Sequence, residues 1–201
     1  IDRLNNLISE FLEFVRPEKP PDAIVDLNLL LQDILEMLKM NQALRQDVVQ
    51  SVDLKAHGQI SGNKDKLKQA LLNIIINAYQ AMLDTEAASI SISTADYQDL
   101  VILRVRDSGC GIEEKNLKKI FEPFHTTKPK GTGLGLAVVH KIIEGHNARI
   151  FVESEKGKGT EFRIEFPRYS KGNSITTGNQ TLDLNLAEKS DSKDDLEVRK
   201  R

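Results

Sequence analysis

Residues 63–83 constrain this chain more than any other stretch. Leu67, Ala70, Leu71, Ile74, Ile75, Ala78 and Met82 recur there at steps of three, four and one, the spacing of a helix with one broad buried face. Asn73 and Asn77 sit four apart on that helix, so their amides leave from one side. That side adjoins Ala70, Ile74 and Ala81, where a purely solvated side chain is unusual. Downstream the period drops to two. Ile90 and Ile92 alternate within 89–95, and Val101, Leu103 and Val105 within 100–107, which predicts two strands. A helix with a wide apolar face followed by one-sided strands packs as helix on sheet.

The remaining segments extend that pattern. Leu30, Ile34, Leu35 and Leu38 predict a helix over 27–44, and Val48, Val52 and Leu54 a strand after it. A further helix is predicted over 134–144, ending near Gly145. A last hairpin pairs 148–154 with 160–166 across Glu155-Lys156-Gly157-Lys158-Gly159, and Pro167 stops it. The predicted fold is a two-layer α/β sandwich over 27–168, a mixed sheet covered by helices on one face. Before it, Ile1, Leu4, Ile8, Phe11 and Val15 alternate steps of three and four, the seam of a bundle helix over 1–16, widened by Leu7, Leu12 and Phe14. Pro17, Pro20 and Pro21 set that helix apart in a linker over 17–26. A helix so separated calls for a partner, which predicts a helical dimer contact. Residues 169–201 interleave acids and bases around sparse leucines and read as a disordered tail.

Composition removes several classes. Lys plus Arg is 28 and Asp plus Glu is 30, a net charge of −2, so no basic field for nucleic acid is expected. The single cysteine, Cys110, excludes an internal disulfide and a zinc site built on several cysteines. No apolar run reaches a membrane span and no signal peptide opens the chain. The expectation is a soluble, cytoplasmic domain, cut or processed from a longer parent because it opens on Ile1, with a membrane anchor in that parent left open.

Four segments carry chemical signal. Asn73 and Asn77 offer neutral oxygens suited to Mg²⁺. Asp107-Ser108-Gly109-Cys110-Gly111-Ile112 ends a strand, with a carboxylate able to accept from an exocyclic amine and glycines that admit a flat ligand; Cys110 reads as a small filler. Phe121-Glu122-Pro123-Phe124-His125-Thr126-Thr127-Lys128-Pro129-Lys130 suits a lid with aromatic anchors and lysines toward phosphate. Gly131-Thr132-Gly133-Leu134-Gly135-Leu136 runs into a helix whose first N–H groups can take phosphate oxygens. The spacing is neither that of a dinucleotide-binding unit nor of a Walker P-loop. Taken singly, each segment has a plain alternative: amides bonding backbone, an Asp-capped turn, a surface loop, a glycine hinge. Their order within one short stretch is what is specific.

In that order the sequence resembles the ATP-binding catalytic domain of two-component sensor histidine kinases, in the superfamily shared with DNA gyrase, heat-shock chaperones and MutL proteins. Asn73–Ala81 resembles the N box, Asp107–Gly111 the first glycine box, Phe121–Phe124 the F box, Gly131–Gly135 the second glycine box and Gly157-Lys158-Gly159-Thr160 the final Gly-x-Gly-Thr element. The likeness covers 22–167, and Arg3-Leu4-Asn5 through Arg16-Pro17 is similar to the end of the second dimerisation helix. Phe124-His125-Thr126-Thr127-Lys128-Pro129 is similar to the NtrB-like subgroup.

The resemblance implies roles. Asn77 would bind Mg²⁺ and Asn73 would position metal and phosphates. Asp107 would hold adenine N6 with Thr160 in support, while Gly109, Gly111 and Ile112 would line the adenine pocket. Lys128 would meet the phosphates, and the backbone of Gly131, Thr132, Gly133, Leu134, Gly135 and Leu136 would wrap them. Gln80 stands where many members carry Lys or Arg, so no phosphate contact is assigned to it. Hydrolytic members place a Glu four residues before the metal-binding Asn; Asn73 stands there, and an amide is no general base. Transfer to a partner histidine, then to a response-regulator aspartate, is thus expected over hydrolysis. His57, His125, His140 and His146 do not suit a phosphoacceptor, which should be exposed on a bundle helix beside an acid. The acceptor helix of the same kinase, a homodimer in the parent, is expected before Ile1, so this piece alone should not autophosphorylate. The alternatives are a nucleotide-dependent interaction module and an anti-sigma-type serine kinase.

Overall fold

Alternating side chains build the central sheet. The structure, a computed structural model, describes residues 23–41, 44–128 and 131–170, together with Leu12 and Val15. In chain order the elements are β1 (Ala23–Val25), α1 (Leu27–Lys39), β2 (Val49–Leu54), β3 (Ile60–Gly62), α2 (Lys64–Ala81), β4 (Ser89–Tyr97), β5 (Leu100–Asp107), α3 (Glu114–Leu117), α4 (Gly135–Gly145), β6 (Arg149–Glu155) and β7 (Gly159–Pro167). Five strands form one mixed sheet in the order β2-β4-β5-β7-β6, with β2 parallel to β4 and the other neighbours antiparallel. Ile90, Ile92 and Thr94, then Val101, Leu103 and Val105, then Phe162, Ile164 and Phe166 are buried. Between them Ser91, Arg104 and Arg106 face solvent on the other side.

The helices bury against the inward set. Leu67, Ala70, Leu71, Ile74, Ile75 and Ala78 of α2 and Val138, Val139, Ile142 and Ile143 of α4 join the same core. This is the α/β layering that the periods predicted. Asp26 opens α1 by accepting from the N–H groups of Asn28 and Leu29, and Asn63 opens α2 by accepting from Lys66, as short polar side chains do at helix starts. His146 ties two helix ends together. Its Nδ1–H donates to the Ile142 carbonyl at 2.6 Å and its Nε2 accepts the Asn63 N–H at 2.9 Å. His146→Ala leaves both partners unpaired at a buried position, so we expect a loss of about 1–3 kcal/mol, read as a lower urea midpoint at unchanged slope.

Several boundaries differ from the sequence reading. Helix α1 stops at Lys39 rather than 44, because the chain turns at Asn41, whose N–H bonds the Leu38 carbonyl. Part of the segment read as linker over 17–26 is structured: Ala23–Val25 pairs antiparallel with Ile60–Gly62, and Val25 is buried. Strands β1 and β3 have three residues each and α3 four, too few to show a period. The predicted helix over 1–16 lies outside the described residues except at Leu12 and Val15, which are helical and exposed. Pro17, Pro20 and Pro21 and the tail beyond Ser170 also lie outside them. Among the described residues, no helix is long and apolar enough to cross a membrane.

Candidate functional site

Asp107 occupies the next inward position after Val105 on β5, so its carboxylate points beneath the helices instead of to water. Gly109 N–H donates to Asp107 Oδ1 at 2.8 Å. Burial pushes this carboxyl above the ordinary aspartate value, partly offset by backbone N–H groups of Gly109 and Thr160 and by the charge of Lys128. The loop after it closes the end of α2, with Cys110 N–H donating to the Ala81 carbonyl at 2.9 Å. A Cβ at Gly109 would stand 2.7 Å from that carbonyl oxygen, so the close approach needs glycine. Cys110 itself is exposed, which corrects its reading as a filler; its backbone, through Ala81 and Gly157, makes the contacts.

The hairpin β6–β7 supports the same loop. Ser154 Oγ accepts the Ile112 N–H at 2.8 Å, donates to the Gly159 carbonyl at 2.9 Å and lies 2.9 Å from Thr160 Oγ1. Thr160 is buried and sits directly opposite Asp107 in the strand register. Gly111 packs against the hairpin at Glu155. Ser154 was missed by the motif reading, although it continues the inward series of Ile150 and Val152, where a hydroxyl is the odd residue. Beyond the loop, Lys115 and Lys156 bond Glu113 and hold its carboxyl down at about 2.

The other end of the site lies one turn back on α2. Lys128 Nζ donates to Asn77 Oδ1 at 2.8 Å and to Gln80 Oε1 at 2.7 Å. The lysine side chain keeps solvent contact, while desolvation around its ammonium lowers its pKa from the usual lysine value, against the pull of Cys110 and Asp107. Asn73 Nδ2 reaches the Gly135 carbonyl at 3.4 Å, linking α2 to the start of α4. The two asparagines therefore share a face but have different partners. The amide oxygens of Asn77 and Gln80 thus face one positive charge, the Lys128 ammonium. No cluster of three or more His, Cys, Asp or Glu residues capable of holding a metal occurs among the described residues. A metal here would rest on amide oxygens, phosphates and water.

The lid is laced to the second glycine segment. Phe124 N–H donates to the Gly133 carbonyl at 3.0 Å, and Gly131 N–H to the Lys128 carbonyl at 3.1 Å. The lid tip, Pro129 and Lys130, lies outside the described residues. Phe121 packs on the His140 ring of α4, with centroids 4.9 Å apart, which anchors the F-box segment. Thr132 Oγ1 takes the Leu134 N–H at 3.4 Å. Leu134 is buried and precedes α4 without any side-chain cap bond. Gly135 and Leu136 form the first turn, and a Cβ added at Gly135 would meet nothing within 4 Å. The first N–H groups of α4 thus have no side-chain cap and lie beside open space at the positive end of the helix.

A buried carboxylate, a cation held by α2 and an open helix start thus surround the last turns of one helix. That is the architecture of a nucleotide-binding ATPase domain. Residues 62–170 match the family described as Histidine kinase-, DNA gyrase B-, and HSP90-like ATPase, more than half the chain, and the chain belongs to this family. Within it, the domain is a histidine kinase ATP-binding catalytic domain. It is 39% identical over 166 residues to the sensor histidine kinase ZraS of Escherichia coli (strain K12), covering 83% of this chain and 35% of ZraS. Its fold is similar to full-length ShkA in complex with AMPPNP, with TM-score 0.71, 26% identity, and coverage of 84% of this chain and 37% of that one. It is likewise similar to histidine kinase ThkA in complex with the response regulator protein TrrA, with TM-score 0.69, 26% identity, and coverage of 84% and 48%. The chain spans well under half the length of the curated relatives it matches.

Proposed function

We propose that this domain binds ATP with Mg²⁺ and presents the γ-phosphate to a histidine on a dimerisation helix of the same kinase. In that transfer the bond from the γ-phosphorus to the bridging oxygen breaks, a nitrogen–phosphorus bond forms and ADP leaves. The phosphoryl group would pass on to a response-regulator aspartate; ThkA, a similar kinase, is known in complex with such a partner. The observation that carries the reading is the placement of Asp107 and the Asn77–Lys128 pair at the same end of α2. Asp107 would accept the exocyclic amine of adenine, positioned by Gly109 and Thr160. Asn77 would hold Mg²⁺, whose chemistry is to neutralise charge on the phosphates. Lys128 and the backbone of 131–136 would orient those phosphates, and Asn73 would fix α4 against α2.

One feature favours transfer over hydrolysis. Asn73 is a neutral amide bonded to backbone, so it cannot take a proton from water. Positioning and charge stabilisation then remain as the main sources of rate. None of the four histidines is placed as an acceptor. His57 lies in a loop; His125 is in the lid; His140 is packed on Phe121; His146 is buried between helix ends.

Incubation with γ-labelled ATP tests this. The expected result is no retained label on this chain alone. A separately made helix segment bearing the acceptor histidine should gain label that acid removes and base spares. No transfer to that segment despite ATP binding would favour an interaction module, and acid-stable label on serine would favour a serine kinase.

A further inference from the structure

Three side chains meet at one point beside α2. Asn77 and Gln80 are three residues apart, so they share a helix face, and both turn an amide oxygen toward the Lys128 ammonium. An ammonium only donates, which fixes the orientation of both amides. The result is one positive charge seated between two neutral oxygens at 2.7 and 2.8 Å. The lysine that fills this seat belongs to the lid, and the lid backbone next to it is bonded to Gly131 and Gly133. Its contact with α2 therefore closes a loop from lid to helix.

Asn77 Oδ1 is also the oxygen assigned to Mg²⁺ in the functional reading above, on which this inference rests. An amide oxygen has two lone pairs, but an ammonium kept on one while Mg²⁺ takes the other would sit a few ångströms from the metal, where like charges repel. Gln80 Oε1 faces the same ammonium as Asn77 Oδ1. We propose that Asn77 and Gln80 form a single cation seat, occupied by the Lys128 ammonium in this structure and yielded to Mg²⁺ when nucleotide binds, with Gln80 as a second protein oxygen of the metal site. Lys128 thereby latches the lid until metal and phosphates arrive, then turns to the phosphates. Lid closure and metal occupancy are linked through one pair of oxygens.

Gln80→Ala and Lys128→Met in the full chain, with the double variant, test the seat by two readouts. Hydrogen exchange of the Phe124 and His125 amides in nucleotide-free protein reads the latch. Each single variant should speed it by about fivefold, and the double variant no further. Mn²⁺ binding at saturating ADP, followed by electron paramagnetic resonance, reads the metal. Gln80→Ala should weaken it by about tenfold. Wild-type exchange in either single variant, or wild-type Mn²⁺ affinity in Gln80→Ala beside intact ADP binding, overturns the seat while leaving the functional reading intact. Failure of the unmutated chain to bind ADP overturns the functional reading and the metal half of the proposal together.

Discussion

Asp107→Asn is expected to cost this domain tenfold to a hundredfold in affinity for a non-hydrolysable ATP analogue while sparing its stability. The carboxylate offers two acceptor oxygens, and one is taken by the Gly109 N–H. An asparagine must keep its oxygen on that N–H, so its NH₂ turns outward and meets the adenine amine donor to donor. Losing a hydrogen bond to a charged acceptor is worth about 1.5–3 kcal/mol, which gives the stated range. The same swap should narrow discrimination against guanine nucleotides, whose ring presents an acceptor at the corresponding edge. Stability should move the other way. Burial raises the folded-state pKa of Asp107, so the native chain holds its proton more tightly than the unfolded chain. That contribution is present below the ordinary aspartate pKa and is lost as pH rises through the raised one. At neutral pH the ionised group is a net cost, and asparagine removes it. Urea unfolding at neutral pH should therefore show an equal or higher midpoint. A variant with wild-type nucleotide affinity would show that Asp107 does not read the base.

The second large effect is expected at the phosphate end, from two glycines that differ by two positions. Gly133 has φ of 74° and an added Cβ would lie 2.4 Å from the carbonyl carbon of Phe124. Gly133→Ala must thus strain its own backbone, at about 1–3 kcal/mol, and push away the lid segment bonded to it. We expect lower thermal stability and at least about tenfold weaker binding of the ATP analogue. At Gly135 an added Cβ touches nothing, and the residue is in a helix, where alanine is favoured by about 1 kcal/mol. Gly135→Ala should therefore keep or raise the melting temperature. A loss of analogue affinity in that stable variant would report the approach of phosphate to the helix start. Calorimetric melting beside analogue titration separates the cases. Equal affinity in wild type and both variants would remove the 131–136 segment from the phosphate site.

The layered architecture could be read from sequence because long elements repeat their periods. The helix α2 runs for 18 residues with a buried face along its length, and β4 and β5 alternate over 9 and 8 residues. Asp107 was legible as a carboxylate ending a strand just before two glycines, while its inward phase after Val105 shows only in the structure. Short elements had no such signal, and the pairing of Ala23–Val25 with Ile60–Gly62 depends on partners far apart in sequence. Gln80 and Ser154 were hidden differently. Each is an ordinary polar residue by type, and only the convergence of lid with α2, and of hairpin with glycine loop, gives it a partner. Motif order indicated which segments matter, while three-dimensional contact shows which side chains hold those segments together.

The parallel pairing of β2 with β4 has a consequence for what the intervening chain must carry. Parallel neighbours cannot be joined by a tight turn; the chain must cross over between them. Here the crossover between Leu54 and Ser89 contains α2. The helix carrying Asn73 and Asn77 thus lies in the link between the edge strand and its neighbour. A change in the length of that crossover therefore bears on the sheet's edge and on the placement of both amides at once.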